Sequence, residues 1–380
     1  MHVINLGLDP KTLDHESVVA FRNRAYGKLI DHYSILVPST ATMTVHLSDK
    51  TTVYGLGGLN RAVKLYKMYK KAKELIESGK CDVITSQDMY YLGLLGLFLA
   101  HRHHLGLEVQ VLGIEKLNPV RKAIAIFVMK RASIVRALSN RIRDRLIKEF
   151  SIPEKNIKVV TIYVDVHKLG LDLRVLPEEE KSHFARLSAD FRQKYRGKMN
   201  FLTVSRLVPV KRTYMQISAL RALLPEFPNT MLHIVGDGPC EKELQRQVAR
   251  LGLESHVVFH GYQKGYALGM FYVECDCFLL TSDYEGWGMV IIEAATAGLP
   301  IIMTDVGCAG ELIIDGKSGI IIPPRDERAL IEAMRKVLTD KEKREALSAG
   351  AINSLALLPD FDTILLQYKT NWEIALAHRL

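Results

Sequence analysis

The sequence predicts an α/β protein built from two doubly wound parallel-sheet domains. Three observations carry that expectation. Short apolar runs alternate with helical runs along the chain, joined by short connections. The 380 residues exceed one ordinary core and suit two domains of about 150 to 200 residues. Finally, the stretch 281–311, TSDYEGWGMVIIEAATAGLPIIMTDVGCAGE, follows an apolar run at 277–280 and reads as loop, helix to Ala297, then strand 301–304 beyond Gly298, Leu299 and Pro300. In an open parallel sheet such a glycine-bearing loop lies at the carboxyl ends of the strands, where ligands bind.

Taken in order, 3–8 reads as a strand, 17–30 as a helix and 32–37 as a strand running into Pro38. The helix 59–77 places Ala62, Leu65, Tyr69, Ala72 and Ile76 on one face and Lys64, Lys67, Lys70 and Lys71 on the other. Strands at 81–86, 107–112, 133–138 and 157–162 then alternate with helices at 90–104, 120–130 and 141–150, and a first domain is expected over 1–170. Residues 171–199, charged and poor in strand signal, with a helix opening at Pro177, read as an interdomain connection. The second domain, 200–357, has strands at 200–204, 231–235, 257–259, 277–280 and 301–304 and helices at 327–338 and 341–347; a terminal helix covers 361–378.

The longest apolar run near the amino end, 92–100, is far short of the ~20 residues of a membrane span. No signal-peptide pattern opens the chain, so a cytoplasmic protein is expected. Five cysteines at irregular positions argue for reduced thiols, and Cys275 and Cys277 have no second ligand pair, so no metal is expected there. Asp360 and Asp362 form the one D-x-D, and a helix cap explains it. Net charge is +9, but the first 200 residues hold 33 Lys/Arg against 20 Asp/Glu, so the basic half is the amino half. Its aromatics are not interleaved for base stacking and no nucleic-acid motif is present; an anionic membrane surface is the expected partner. Between 117 and 150 the basic residues crowd together, either to lie on anionic lipid or as the solvated faces of ordinary packed helices.

The loop at 281–288 is the candidate site. Gly286 and Gly288 let the backbone approach a phosphate, and the first turn of the following helix offers unpaired N–H groups and a favourable dipole. Glu285 lies in the loop and Glu293 inside the helix, so they reach different parts of one extended ligand. A carboxylate suits sugar or ribose hydroxyls better than phosphate. Alone, the pair could equally be solvated surface glutamates. Arg206 and Lys211, in the S-R-L-V-P-V-K-R loop after strand 200–204, can converge on one diphosphate. Asp88, following strand 81–86, is either an acceptor-orienting carboxylate or a helix cap.

The runs E-G-W-G-M-V-I-I-E-A, A-G-L-P-I-I and G-C-A-G-E-L-I, closing on G-K-S-G, resemble the family-4 retaining glycosyltransferases, group 1 type, through nearly the whole carboxyl half and more faintly from Cys81 onward. The resemblance implies the GT-B fold, two Rossmann-like domains facing across a cleft, with 358–380 crossing back onto the first, acceptor-binding one. It implies that Glu285 meets donor sugar hydroxyls, that Glu293, the second glutamate of the EX7E motif, meets the ribose, and that Arg206 and Lys211 neutralise the leaving diphosphate. Gly286, Trp287, Gly288, Gly236, Gly238, Gly261 and Tyr262 are then donor-binding positions.

Two departures stand out. Many relatives have a glycine pair after the first strand, where this chain has Gly7-Leu8-Asp9-Pro10, and a histidine after the strand 107–112, where Leu112 stands. The implied function is a metal-independent hexosyltransferase taking a nucleotide diphosphate-sugar, with no other cofactor, to a lipid-linked or polysaccharide acceptor in bacterial cell-surface glycan synthesis, peripheral on the cytoplasmic face of the inner membrane. The alternatives are a silent sugar-nucleotide-binding protein and a GT-B epimerase.

Overall fold

A computed structural model describes residues 1–114, 117–164 and 177–380. They group into two units, Met1–Tyr163 with Pro359–Leu380, and Val164–Leu358.

In the first unit, strands β1 (His2–Leu6), β2 (His32–Ser39), β3 (Met43–Ser48), β4 (Thr51–Gly57), β5 (Val83–Ser86), β6 (Gly106–Val111), β7 (Ile134–Ala137) and β8 (Ile157–Val159) form a sheet in the order β3-β4-β2-β1-β5-β6-β7-β8. Only the β3–β4 pair is antiparallel. These two strands were not anticipated, although residues 43–48 and 51–57 carry β-branched residues on either side of a tight Asp49-Lys50 turn. Helices α1 (Val18–Lys28), α2 (Arg61–Glu77), α3 (Tyr91–His103), α4 (Pro119–Met129) and α5 (Asn140–Phe150) alternate with the parallel strands. Ser17, Asn60, Asn118 and Ser139 each accept a backbone N–H at the start of α1, α2, α4 and α5, which fixes where those helices begin.

The second unit opens with α6 (Glu178–Lys194), followed by β9 (Met199–Val204), α7 (Thr213–Leu223), β10 (Thr230–Val235), α8 (Glu241–Leu251), β11 (Val257–Phe259), α9 (Gly265–Glu274), β12 (Cys277–Leu280), α10 (Met289–Thr296), β13 (Ile301–Thr304), β14 (Ile320–Ile322), α11 (Glu327–Thr339) and α12 (Lys341–Ser354). Its sheet is parallel throughout, in the order β11-β10-β9-β12-β13-β14. Its core gathers Phe201, Ile217, Leu220, Leu232, Ile234, Leu279, Ile302, Leu330 and Met334. The connection expected over 171–199 differs from this picture. Its part up to 176 lies outside the described residues, as does the expected boundary at 170, and α6 packs within the second unit, where Arg192 grips Glu274 of α9 through two 2.7 Å hydrogen bonds.

The last helix, α13 (Phe361–Ala377), starts at Asp360, whose carboxylate accepts from Thr363 N–H at 2.7 Å, and packs on the first sheet. Close approach is possible because β6 begins at Gly106, where a Cβ would lie 2.4 Å from the Ala375 carbonyl oxygen. Beneath α13 the sheet is polar. Buried Glu108 accepts from Thr85 (2.6 Å), Gln110 (3.2 Å), Asn371 (3.2 Å) and the Trp372 indole (3.2 Å), while buried Arg136 lies 4.4 Å from the Tyr368 ring centre. The five cysteines are free thiols. Cys81, Cys275, Cys277 and Cys308 are buried and Cys240 is half-buried; burial pushes the Cys81 thiol up to about 12.

Candidate functional site

The second sheet reverses direction between β9 and β12. From β9 the order runs outward through β10 to β11, and β12 then takes the other side of β9. The loops leaving β9 and β12, residues 205–212 and 281–288, therefore flank the crevice in which open α/β sheets bind ligands. Backbone contacts join them: Asp283 N–H donates to the Val210 carbonyl at 2.8 Å, and Thr281 Oγ1 donates to the Lys211 carbonyl at 2.9 Å.

Charge is laid out in two adjacent clusters. Lys211 Nζ donates to Glu285 Oε1 at 2.5 Å, and Ser282 Oγ donates to the same oxygen at 2.6 Å. One residue along, Arg212 places Nε and Nη2 at 2.9 and 2.6 Å from Asp283 Oδ2, and Arg325 binds the same carboxylate at 3.0 and 2.9 Å. Burial pushes the Asp283 carboxyl up, but the hydrogen bonds from Arg325 and Arg212 outweigh it and hold it below its ordinary 3.8. Both arginines have left-handed backbone, φ +53° and +67°. That conformation costs of order 1 kcal/mol for a side chain with a Cβ, and the shared ion pair offsets it.

The glycine loop ends at Gly288, φ +89°, which begins α10 without any side-chain cap. The first N–H groups of α10 are thus left for a ligand or water. Gly307 supports the loop from behind, φ +57°: a Cβ there would sit 2.5 Å from the Trp287 carbonyl oxygen, which accepts Cys308 N–H at 2.9 Å. Within α10, Glu293 Oε2 accepts from the buried Tyr272 hydroxyl at 2.7 Å. Burial raises the Glu293 pKa above its ordinary 4.5, with the Tyr272 hydrogen bond pulling the other way.

The loops after β10 and β11 press on the same region. Gly236 (φ +129°) admits the Ser205 carbonyl, which a Cβ would approach to 1.9 Å, and Gly238 does the same for Leu207 at 2.4 Å. Gly236 N–H donates to the Gly261 carbonyl at 2.7 Å, and Tyr262 beside it is exposed. His233 and His260 form a ring-to-ring hydrogen bond of 3.0 Å, and burial depresses them to about 3 and about 4, so both are neutral at physiological pH.

The structure thus brings Lys211, Glu285, Gly286 and Gly288 to one end of the second sheet, with Gly236, Gly238 and Gly261 in the neighbouring loops. Three of the candidates sit as follows. Lys211 is ion-paired with Glu285, and Arg206 is exposed. Trp287 is buried, so it shapes the loop through its carbonyl, and its indole N–H has no partner among the described residues. Asp88 lies in the first unit, and its Oδ1 accepts the N–H groups of Tyr90 (2.6 Å), Leu92 (3.1 Å) and Gly93 (3.4 Å), the work of a helix cap. Burial nonetheless raises its pKa above 3.8. Sequence reasoning missed Ser282, Asp283, Arg212, Arg325 and Tyr272. Local signals were the adjacency of Arg212 to Lys211 and the place of Ser282 and Asp283 in the loop of Glu285.

This geometry agrees with what the sequence matches. Residues 188–354 fit the family model described as Glycosyl transferases group 1. A GDP-mannose-dependent alpha-(1-6)-phosphatidylinositol monomannoside mannosyltransferase of Mycolicibacterium smegmatis is 35% identical to the chain over 154 residues, 39% of this chain and 40% of that protein. An alpha-D-kanosaminyltransferase of Streptomyces kanamyceticus is 25% identical over 236 residues, 62% of this chain and 58% of that one. The matches therefore span 40% and 58% of these relatives' lengths. Among solved structures, Anabaena HepE in complex with UDP superimposes with a TM-score of 0.76 at 20% identity, covering 98% of this chain and 100% of that one. Sucrose-phosphate synthase from Thermosynechococcus elongatus gives 0.78 at 18%, covering 99% and 100%. These likenesses establish the GT-B fold, and the residues that match the family model include every strand of the second sheet.

Proposed function

We propose that the chain is a retaining, family-4 hexosyltransferase that takes a nucleotide diphosphate-sugar as donor and a lipid-linked or polysaccharide carbohydrate as acceptor, in cell-surface glycan synthesis on the cytoplasmic face of the inner membrane. The observation that carries this reading is the meeting of Lys211, Glu285 and the uncapped start of α10 at the strand-order reversal of the second sheet. The donor diphosphate lies against the first N–H groups of α10, with Lys211 and Arg206 balancing its charge, so the reading calls for no metal. Lys211 and Ser282 both donate to Glu285 Oε1, which leaves Oε2 for the sugar hydroxyls. Glu293 likewise gives Oε2 to Tyr272 and keeps Oε1 for the ribose. The named relatives are consistent with this, since one uses GDP-mannose and HepE binds UDP.

In the reaction, the bond from the sugar's anomeric carbon to the diphosphate oxygen breaks as the acceptor oxygen attacks from the same face. The acceptor proton passes to the departing phosphate oxygen, so the protein supplies orientation and electrostatic stabilisation. Incubation with UDP-, GDP- and ADP-sugars should give nucleotide release only when a glycan acceptor is present. Nucleotide binding without release under any acceptor would indicate a silent sugar-nucleotide-binding protein, to which Leu112 in place of the family histidine lends weight. An isomerised sugar without acceptor would indicate an epimerase.

A further inference from the structure

As far as Ala100, helix α3 is apolar all round although it lies on the surface of the first unit. Its inner face buries Leu92, Leu97, Leu99 and Ala100, while its outer face exposes Tyr91 (52%), Leu94 (41%) and Phe98 (58%) at a helical spacing. Its neighbour α4 buries Ala125, Val128 and Met129 and exposes Val120 and Phe127. Between the two runs an apolar groove of about 590 Å³, lined by Leu94, Leu97, Phe98 and Phe127 and bordered by Arg102 and Arg131. A contiguous outward apolar patch of this kind marks a surface that something covers.

The surrounding charge says what covers it. Neither α3 nor α4 contains an Asp or Glu; His101, Arg102 and Arg131 line the groove, and Arg121 stands beside Tyr91. The Arg131 guanidinium lies 4.0 Å from the Phe127 ring centre, and that of Arg121 5.9 Å from the ring of Tyr91, so cations and aromatics are interleaved. A second copy of this face would bring like charges together; an anionic bilayer offers acyl chains to the groove and phosphates to the arginines. Three other cations of the stretch 117–150 are engaged elsewhere. Arg136 is buried, Arg143 pairs with Asp144 and Arg145 with Glu149.

We propose that the α3–α4 face docks on an anionic lipid bilayer, Leu94, Phe98 and Phe127 entering the acyl region while Arg102 and Arg131 meet lipid phosphates. This deepens the functional reading above by naming the footprint of its membrane partner, and it stands or falls separately from sugar transfer. The test is flotation of the full chain with vesicles of 70% phosphatidylcholine and 30% phosphatidylglycerol, against pure phosphatidylcholine. The wild type should float with the anionic vesicles and far less with the neutral ones. Arg102→Gln with Arg131→Gln should lower partitioning about 30-fold, the combined effect of two surface cations, and Leu94→Gln, Phe98→Gln, Phe127→Gln should abolish it. All five side chains are on the surface, so thermal melting should be unchanged, and the arginine pair still tests the footprint if the apolar variant folds poorly. Equal partitioning of wild type and variants would overturn the proposal. So would a wild-type dimer in light scattering that the apolar variant converts to monomer, because a second copy would then own this face. Transfer to a soluble acceptor, measured without vesicles, should be the same in all variants; its absence in wild type would count against the transferase reading alone.

Discussion

At the scale of single residues, the contact between Lys211 and Glu285 decides how the site responds to change. Removing Lys211 takes away a cation and also leaves Glu285 as an unneutralised anion beside the proposed diphosphate position. Lys211→Ala should therefore weaken UDP or GDP binding by about 1.5 to 3 kcal/mol, and the double variant with Glu285→Gln should recover part of that loss, as calorimetric titration would show. Additive losses would mean the two do not act on one ligand. Glu293 makes a different prediction. Its burial-raised pKa means the carboxyl keeps its proton above the ordinary 4.5, while ribose hydroxyls donate best to the ionised form. Nucleotide affinity should rise with pH through that window, with proton release on binding, and Glu293→Gln should remove both the pH dependence and the proton release. Glu285, Glu293, Arg206 and Lys211 were legible as candidates because they sit in local patterns. Asp283 and Tyr272 were not, because their partners lie 42 and 71 residues away in one case and 21 in the other.

Among the elements, α13 depends most on partners distant in sequence. Tyr368 stacks on Tyr26 at 4.3 Å between ring centres, and Trp372 is fully buried, with its indole on Glu108. Trp372→Ala should destabilise the first unit by about 3 to 5 kcal/mol, from the cavity it opens and the hydrogen bond it removes from a buried carboxylate; urea unfolding would measure it. The strand–helix alternation of both units could be read from apolar periodicity. What lay beyond it was the β3–β4 pair, where short alternating runs compete with the stronger helical signal of 59–77, and the polar seam of Thr85, Glu108, Gln110 and Arg136, which violates the apolar rule for parallel sheets. The docking of α13 rests on that seam, and no local pattern encodes it.

For the whole molecule, the division into two units predicts where a nucleotide acts. All the proposed nucleotide contacts lie within Val164–Leu358. At a UDP or GDP concentration 100 times the dissociation constant, opening of that unit should become harder by about 2.7 kcal/mol. Hydrogen exchange should slow across its sheet while Met1–Tyr163 keeps its rates; uniform slowing would show that the units open together. The charge asymmetry was also readable at this scale, but its meaning was not. The crowd of basic residues over 117–150 disperses in three dimensions into a buried arginine, local ion pairs and the rim of an aromatic face. No single helix among the described residues is long and apolar enough to cross a membrane.

The distribution of the thiols has a practical outcome. Four are sealed in the interior, and Cys240 alone reaches the surface, at the head of α8 and with its N–H on the Leu207 carbonyl in the loop that carries Arg206. A maleimide dye added to the unmodified protein at neutral pH should attach there once per molecule. Its emission would then follow donor occupancy in real time, with no engineered cysteine required.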